Sequence, residues 1–285
     1  NLECFIIGKF YNFNNLRHSN NLLLTYFFIL ILFLLNVQDG IYTLLNTDIE
    51  GAVSYQGYAR SIVAISLFIL AASFNSRWIF YFIIFSSIVV LTIVGSRSEL
   101  ILYLGTLISS YYLLNSKNIV GIIYTVITTF ICILLLFLNF DALLDLLKNT
   151  RFNDLITYGI YGSSSGAMRL EFNLVAWSYI QENIFFGNYG IYVKHFGSIG
   201  AYPHSILSAW LNLGFVGFIS YILITMNIAF NSLKNSRRNV NVVSLLSLFL
   251  IIFIVSSFIT SKDYLFMFFG LSVGVYSNIY KKRGI

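Results

Sequence analysis

Four basic side chains stand where the rest of the sequence avoids charge. Arg60 lies three residues into an apolar block, and Arg97 sits in the turn Gly95-Ser-Arg-Ser-Glu99 between two such blocks. Arg169 opens an amphipathic stretch, and His204 heads another apolar block. Holding a guanidinium near hydrocarbon costs about 2.5–3.5 kcal/mol at the bilayer centre and less toward its edge, and an anionic partner offsets that cost. Arginine suits phosphate because its planar fork donates two parallel hydrogen bonds and stays charged at any working pH. A cluster of outward arginines makes a pocket for a lipid-linked phosphate or diphosphate, and a histidine titrating near neutrality can serve as general base. Each residue also has a plainer reading. Arg60 can snorkel to the interface, Arg97 can pair with Glu99, Arg169 can share a solvated helix with Glu171, and His204 can simply be interfacial. Little else in the chain bears chemistry. It has no His-Glu-x-x-His, paired-cysteine, Walker or Gly-x-Ser-x-Gly motif and no Asp-x-Asp pair, so no metal and no cofactor is expected. Cys4 and Cys132 are expected to stay unpaired, the second lying deep in an apolar block.

The elements that must position these residues follow from composition. Of 285 residues, 58% are apolar, 18% aromatic and 10% charged, with one proline. A soluble globule carries roughly 25% charged residues, so a soluble enzyme, a disordered chain and a disulfide scaffold are excluded. The apolar residues form long blocks near 22–37, 58–74, 78–95, 99–114, 119–139, 205–228, 242–260 and 264–280. Spans of about 20 residues cross a bilayer core, and these blocks predict an all-α, polytopic bundle of about eight transmembrane helices. Residues 1–285 read as one integral membrane domain. The first 21 residues hold neither a signal peptide nor a full span and begin with Asn1, so an N-terminal part is expected to be missing.

Loop charges set the orientation. Lys9, Arg17, Arg77, Lys117, Lys234, Arg237, Arg238 and Lys281-Lys-Arg283 fall on one side, against Arg60, Arg97 and Lys262 on the other. The richer side is cytoplasmic. The +6 net charge is thus a topology signal, and no nucleic-acid partner is implied. The long connection 140–204 then faces outward. Within it, Asp141–Lys148 has an amphipathic period, and Gly159–Gly166 reads as a hinge. From Met168 to Gln181, Leu170, Leu174, Trp177 and Ile180 share one helical face, and the turn Glu182–Gly190 stops that helix. Pro203 is placed to open the next span. Gly270-Leu-Ser-Val-Gly274 is a GxxxG of the kind that lets helices approach closely.

Three segments resemble the O-antigen ligase and O-antigen polymerase (Wzy-type) family of membrane proteins. They are Gly95-Ser-Arg-Ser-Glu-Leu100; Arg169 and Trp177 followed by Gln181-Glu-Asn-Ile-Phe-Phe-Gly-Asn-Tyr-Gly190; and Tyr202-Pro-His-Ser-Ile-Leu-Ser-Ala-Trp-Leu-Asn-Leu-Gly-Phe-Val-Gly217. They occur in the family's order over roughly residues 75–225. Ile184 stands where the family often has proline, and the spacing from His204 to Gly214 is one residue short of the ligase form. The polymerase is therefore preferred over the ligase. The resemblance implies a metal-independent glycosyltransferase of the polytopic GT-C-like type in the bacterial inner membrane, its active site facing the periplasm. It would join undecaprenyl-diphosphate-linked oligosaccharide repeat units, with Arg97, Arg169 and Arg60 on the diphosphate. His204 would be the base or acceptor-orienting residue, and Glu171 the alternative base. A chain-length regulator and a flippase are the implied protein partners. In the ligase reading the acceptor is a lipid A core sugar. A lipid transporter or flippase is the rival from another class, disfavoured because the span interiors carry almost no charge.

Overall fold

The computed structural model describes residues 2–11, 13, 20–35, 37–38, 41–42, 55–94, 96–115, 164–197, 203, 205–260 and 267–281. Its helices are α1 (Leu2–Phe10), α2 (Asn20–Leu35), α3 (Tyr55–Ala72), α4 (Arg77–Ile93), α5 (Arg97–Asn115), α6 (Ser164–Glu182), α7 (Ile191–Phe196), α8 (Leu207–Arg238), α9 (Val242–Thr260) and α10 (Met267–Lys281). One short antiparallel hairpin follows α2, with Val37 opposite Tyr42 and Gln38 opposite Ile41. The chain is thus essentially all-α, as the apolar blocks predict, and helices coincide with seven of those eight blocks. The block 119–139 and the stretch 141–148 lie outside the described residues.

Among the described residues, α8 is the one helix long and apolar enough to cross a membrane. Apolar stretches in α2, α3, α4 and α9 are shorter: Asn21–Leu35, Gly57–Ala72, Arg77–Ile93 and Val242–Phe258. Among the described residues the expected count of eight spans is therefore not reached. The chain divides into two compact units, one of residues 1–11, 154–234 and 250–285, the other of residues 12–153 and 235–249.

In the second unit α3 packs against α2, α4 and α5, and α4 against α5. Ile62, Leu67, Leu70, Ile83, Leu91 and Leu102 are buried there. The interior also holds hydroxyls: Tyr26 of α2 bonds the Ser86 and Ser87 hydroxyls of α4 at 2.7 and 2.8 Å, and Tyr58 of α3 donates to the Ile29 carbonyl of α2 at 2.9 Å. Where apolar burial gives no contrast with lipid, such bonds specify which helices meet.

In the first unit α1 packs on α10. A Cβ on Gly8 would lie 2.6 Å from the Leu271 carbonyl oxygen, and one on Gly274 would strike the Phe5 carbonyl and lie 2.9 Å from Gly8 Cα. The GxxxG of α10 is therefore used within the chain, against α1. A second cluster gathers Ala176 and Ile180 of α6 around Leu211 of α8, flanked by Tyr179, Ile191, Tyr192, Leu207 and Trp210.

Three expectations about the 159–214 region need correction. Helix α6 starts at Ser164, inside the stretch read as a hinge, of which residues 159–163 lie outside the described residues. Its buried side is Phe172, Ala176 and Ile180, whereas Leu170, Leu174 and Trp177 are exposed. The helix is apolar on two sides, and of the four residues read as one face Ile180 is buried while the other three are exposed. Finally, α8 begins at Leu207 rather than at Pro203, its first turn held by the Ser205 hydroxyl, which accepts from Leu207 N–H at 3.3 Å. Pro203 is buried ahead of the helix.

Candidate functional site

The polar turn ahead of α5 is built around Glu99. Ser96 stands before the first helical residue, and its carbonyl accepts from Leu100 N–H at 3.1 Å. Ser96-x-x-Glu99 has the spacing of a capping box, in which the glutamate reaches back to the cap's own N–H. Here that N–H bonds the Leu91 carbonyl instead, at 3.2 Å, and the carboxylate is free to turn inward. Glu99 is 0% exposed. Arg60 Nε of α3 meets its Oε1 at 3.3 Å, and the Ser96 and Ser98 hydroxyls donate to its Oε2 at 2.7 and 2.5 Å. A buried carboxylate needs a cation and donors of this kind to offset the loss of water.

This geometry bears on two readings. Arg60 is a partner of Glu99, and the side chain of Arg97 lies outside the described residues. Arg60, with its side chain 30% exposed, meets a protein carboxylate and so holds Glu99 in place.

The other candidates belong to the first unit. Arg169 is half-buried near the start of α6, and Glu171 is exposed. Residues two apart do not face each other on a helix. Among the described residues they form no ion pair, and the one recorded pair is Arg60–Glu99. Asn173 lies one turn beyond Arg169 on the same side, and Ser205 Oγ donates to Asn173 Oδ1 at 3.4 Å. The start of α8 is thus fastened beside the turn of α6 that carries Arg169. His204 lies outside the described residues, between the buried Pro203 and this Ser205. Among the described residues, no group of three or more His, Cys, Asp or Glu side chains is placed to share a metal ion.

The segment 182–190 is locked onto a break in α8. Gly214 takes φ 70° and ψ −179°, interrupting the helix. Asn188 N–H donates to the Leu211 carbonyl at 2.6 Å and Phe215 N–H to the Ile184 carbonyl at 3.0 Å. Gly190 N–H reaches Asn212 Oδ1 at 3.0 Å, and Trp210 Nε1 donates to the Ile184 carbonyl at 3.1 Å. The loop supplies what the break removes: partners for backbone groups that no longer bond along the helix. The contact also demands glycines. A Cβ on Gly187 (φ 70°) would sit 2.6 Å from Gly214 N and 2.7 Å from the Leu211 oxygen, and one on Gly214 would overlap the Phe185 carbonyl.

A hydrogen-bonded Tyr179–His195 pair, oxygen to Nδ1 at 3.0 Å, lies beside this loop. The ring of His195 packs edge-on to Phe196, 4.6 Å between centroids. Sequence reading passed over His195, which carries no motif and gains its partner only through the turn at Gly190. Comparison of the chain with protein-family models, with curated proteins and with solved structures finds no match.

Proposed function

We propose that this chain is a polytopic membrane glycosyltransferase of the O-antigen polymerase type, joining undecaprenyl-diphosphate-linked oligosaccharide repeats at the periplasmic face of the bacterial inner membrane. The observation that carries the reading is the Ser205–Asn173 contact. It fastens the head of α8, where His204 falls in the sequence, one turn along α6 from Arg169. The docking of 182–190 on the Gly214 break adds support, because it joins two of the three segments that resemble the family.

In this reading Arg97 and Arg169 are each phosphate-binding cations. The acceptor hydroxyl oxygen bonds to the donor's anomeric carbon, the bond from that carbon to the diphosphate breaks, and its electron pair leaves with the diphosphate. The hydroxyl proton passes to His204 or, alternatively, to Glu171. An arginine that meets the growing charge of the leaving group lowers the barrier by holding the transition state more tightly than the ground state. Arg60 acts through Glu99 as a positioning residue. The buried Arg60–Glu99 pair is also the one feature that favours a lipid transporter, since ionisable pairs within helical membrane bodies mark transport paths.

The test is complementation of a strain deleted for the gene, read on a lipopolysaccharide gel. A lost polymerase leaves a single repeat on the core, restored to a ladder by the wild-type chain but not by Arg169→Ala or Arg97→Ala. Bare core with accumulated lipid-linked polymer identifies a ligase. Absence of periplasmic lipid-linked repeats identifies a transporter. A normal ladder from both variants removes the two arginines from the mechanism.

A further inference from the structure

The loop that seals the α8 break carries its most exposed apolar side chains outward. Phe186 is 89% exposed, Tyr189 77% and Phe185 65%, on a segment whose backbone is fixed at both ends, Ile184 accepting from Phe215 N–H and Asn188 N–H donating to Leu211. These rings do not form an isolated patch. Phe185 meets Phe215 of α8 with 6.5 Å between centroids, Phe215 meets Trp210 at 5.8 Å, and Trp210 meets Trp177 of α6 at 6.0 Å. From Trp177 the exposed apolar face runs on to Leu174 and Leu170, and from Phe215 it runs down α8 through Val216, Leu223 and Ile224. Ring contacts thus join the loop to the outer stripe of α6, beside exposed apolar side chains of the helix able to cross a membrane.

The level of that junction follows from the length of α8. Twenty residues separate Gly214 from Lys234, the first cation toward the other end. At about 1.5 Å per residue the separation is ~30 Å, and the hydrocarbon core of a bilayer is about 30 Å thick. With Lys234 at one boundary, the break and the loop on it stand at the opposite boundary. Tyrosine and tryptophan are the residues that favour that level, the ring in the acyl boundary and the polar tip in the headgroups; Tyr189 of the loop and Trp177 of α6 are exposed there, with Phe185 and Phe186 adding apolar area.

We propose that the 184–189 loop, with the Leu170–Leu174–Trp177 stripe of α6, is a membrane-interface anchor: its occupant is the headgroup–acyl boundary of the outer leaflet, and it fixes the depth at which the α8 break sits. The proposal rests on α8 crossing the bilayer and is independent of the enzymatic reading. It also explains why α6 is apolar on two faces, since one packs on α8 and the other lies against lipid, as in interfacial helices.

The experiment places a nitroxide at position 186, 174, 194 or 223 by single-cysteine labelling in a Cys4→Ser/Cys132→Ser background. Full-length protein is reconstituted in phosphatidylcholine nanodiscs, and collision with oxygen is compared with collision with a water-soluble nickel chelate. Phe186→Cys and Leu174→Cys labels are expected to meet oxygen severalfold more than nickel, as the Leu223→Cys label does. The Lys194→Cys label is expected to show the reverse. Nickel-dominated collisions at 186 and 174, with 223 still in lipid, overturn the anchor while leaving the span intact. Shielding of 186 from both probes identifies a protein partner on this face and also overturns it. Nickel-dominated collisions at 223 overturn the crossing itself. Phe186→Asp, at a site where packing loss is minimal, is expected to lower recovery of the membrane-inserted form severalfold without lowering expression. Unchanged recovery counts against an anchoring role.

Discussion

Glu99 shows how a single residue in this chain is controlled from a distance. Its neighbours in sequence offer it a helix cap, and its neighbour in space, 39 positions away, draws it into the interior. Removing Arg60 takes away a cation that meets the buried carboxylate at 3.3 Å. Breaking such a pair typically costs about 3–5 kcal/mol, and the 30% exposure of Arg60 places Arg60→Ala toward the lower figure. Arg60→Ala combined with Glu99→Gln is expected to recover most of the loss, because the amide needs no cation. Denaturant unfolding in micelles measures both, and a double variant no better than the single one shows that the two side chains are not coupled. The residues that could do chemistry were legible as types and positions, since charge is scarce. The pairing of Arg60 was not, because Ser-x-x-Glu is a local signal and nothing local points to Arg60. Gly214 was equally hidden. It sits in a run that reads as one span, and only the loop docked on it shows why the backbone turns there.

Elements in this chain meet through glycine as much as through bulk. The crossing of α1 and α10 brings Gly8 and Gly274 together, and a methyl on either would press on main-chain atoms that cannot swing aside. Gly8→Ala and Gly274→Ala are each expected to destabilise, by about 1–3 kcal/mol as overpacked cores do. Gly105 of α5 is the contrasting case: a Cβ there meets nothing within 4 Å, and Gly105→Ala is expected to stabilise by about 0.5–1 kcal/mol through helix propensity. Thermal unfolding of the three variants side by side checks the opposite signs, and a loss at Gly105 equal to that at Gly8 contradicts the packing account. The GxxxG motif was visible in the sequence, but its partner was not, because α1 and α10 are at opposite ends of the chain. Of the face read on α6 only Ile180 turns inward, for a related reason. With apolar residues at 170, 174 and 177 and again at 172, 176 and 180, periodicity alone cannot say which stripe faces protein.

At the scale of the whole molecule, the apolar blocks located the helices well because a bilayer core and a helix interior select the same side chains. They overstated how many of those helices are long enough to cross, because hydropathy does not register where a helix ends. Ser73 and Ser96, for example, close the ends of α3 and α4 with backbone bonds to Ile69 and Leu91. The charge pattern makes a sharper claim than the span count. If α8 crosses, Lys194 of α7 and the pair Arg237-Arg238 lie on opposite sides of the membrane, the second held by Arg237 Nε donating to the Leu113 carbonyl at 2.7 Å. In intact spheroplasts of cells expressing the cysteine-free chain with one added cysteine, Lys194→Cys is expected to react with an impermeant maleimide. Arg238→Cys is expected to react only after the membrane is opened. The reverse pattern inverts the orientation and moves Arg169 and the α6 loop to the cytoplasm, where a periplasmic polymerase has no substrate. Reaction of both cysteines in intact spheroplasts shows that α8 does not cross, and the apolar surface of unit one would then need a protein rather than a lipid to cover it.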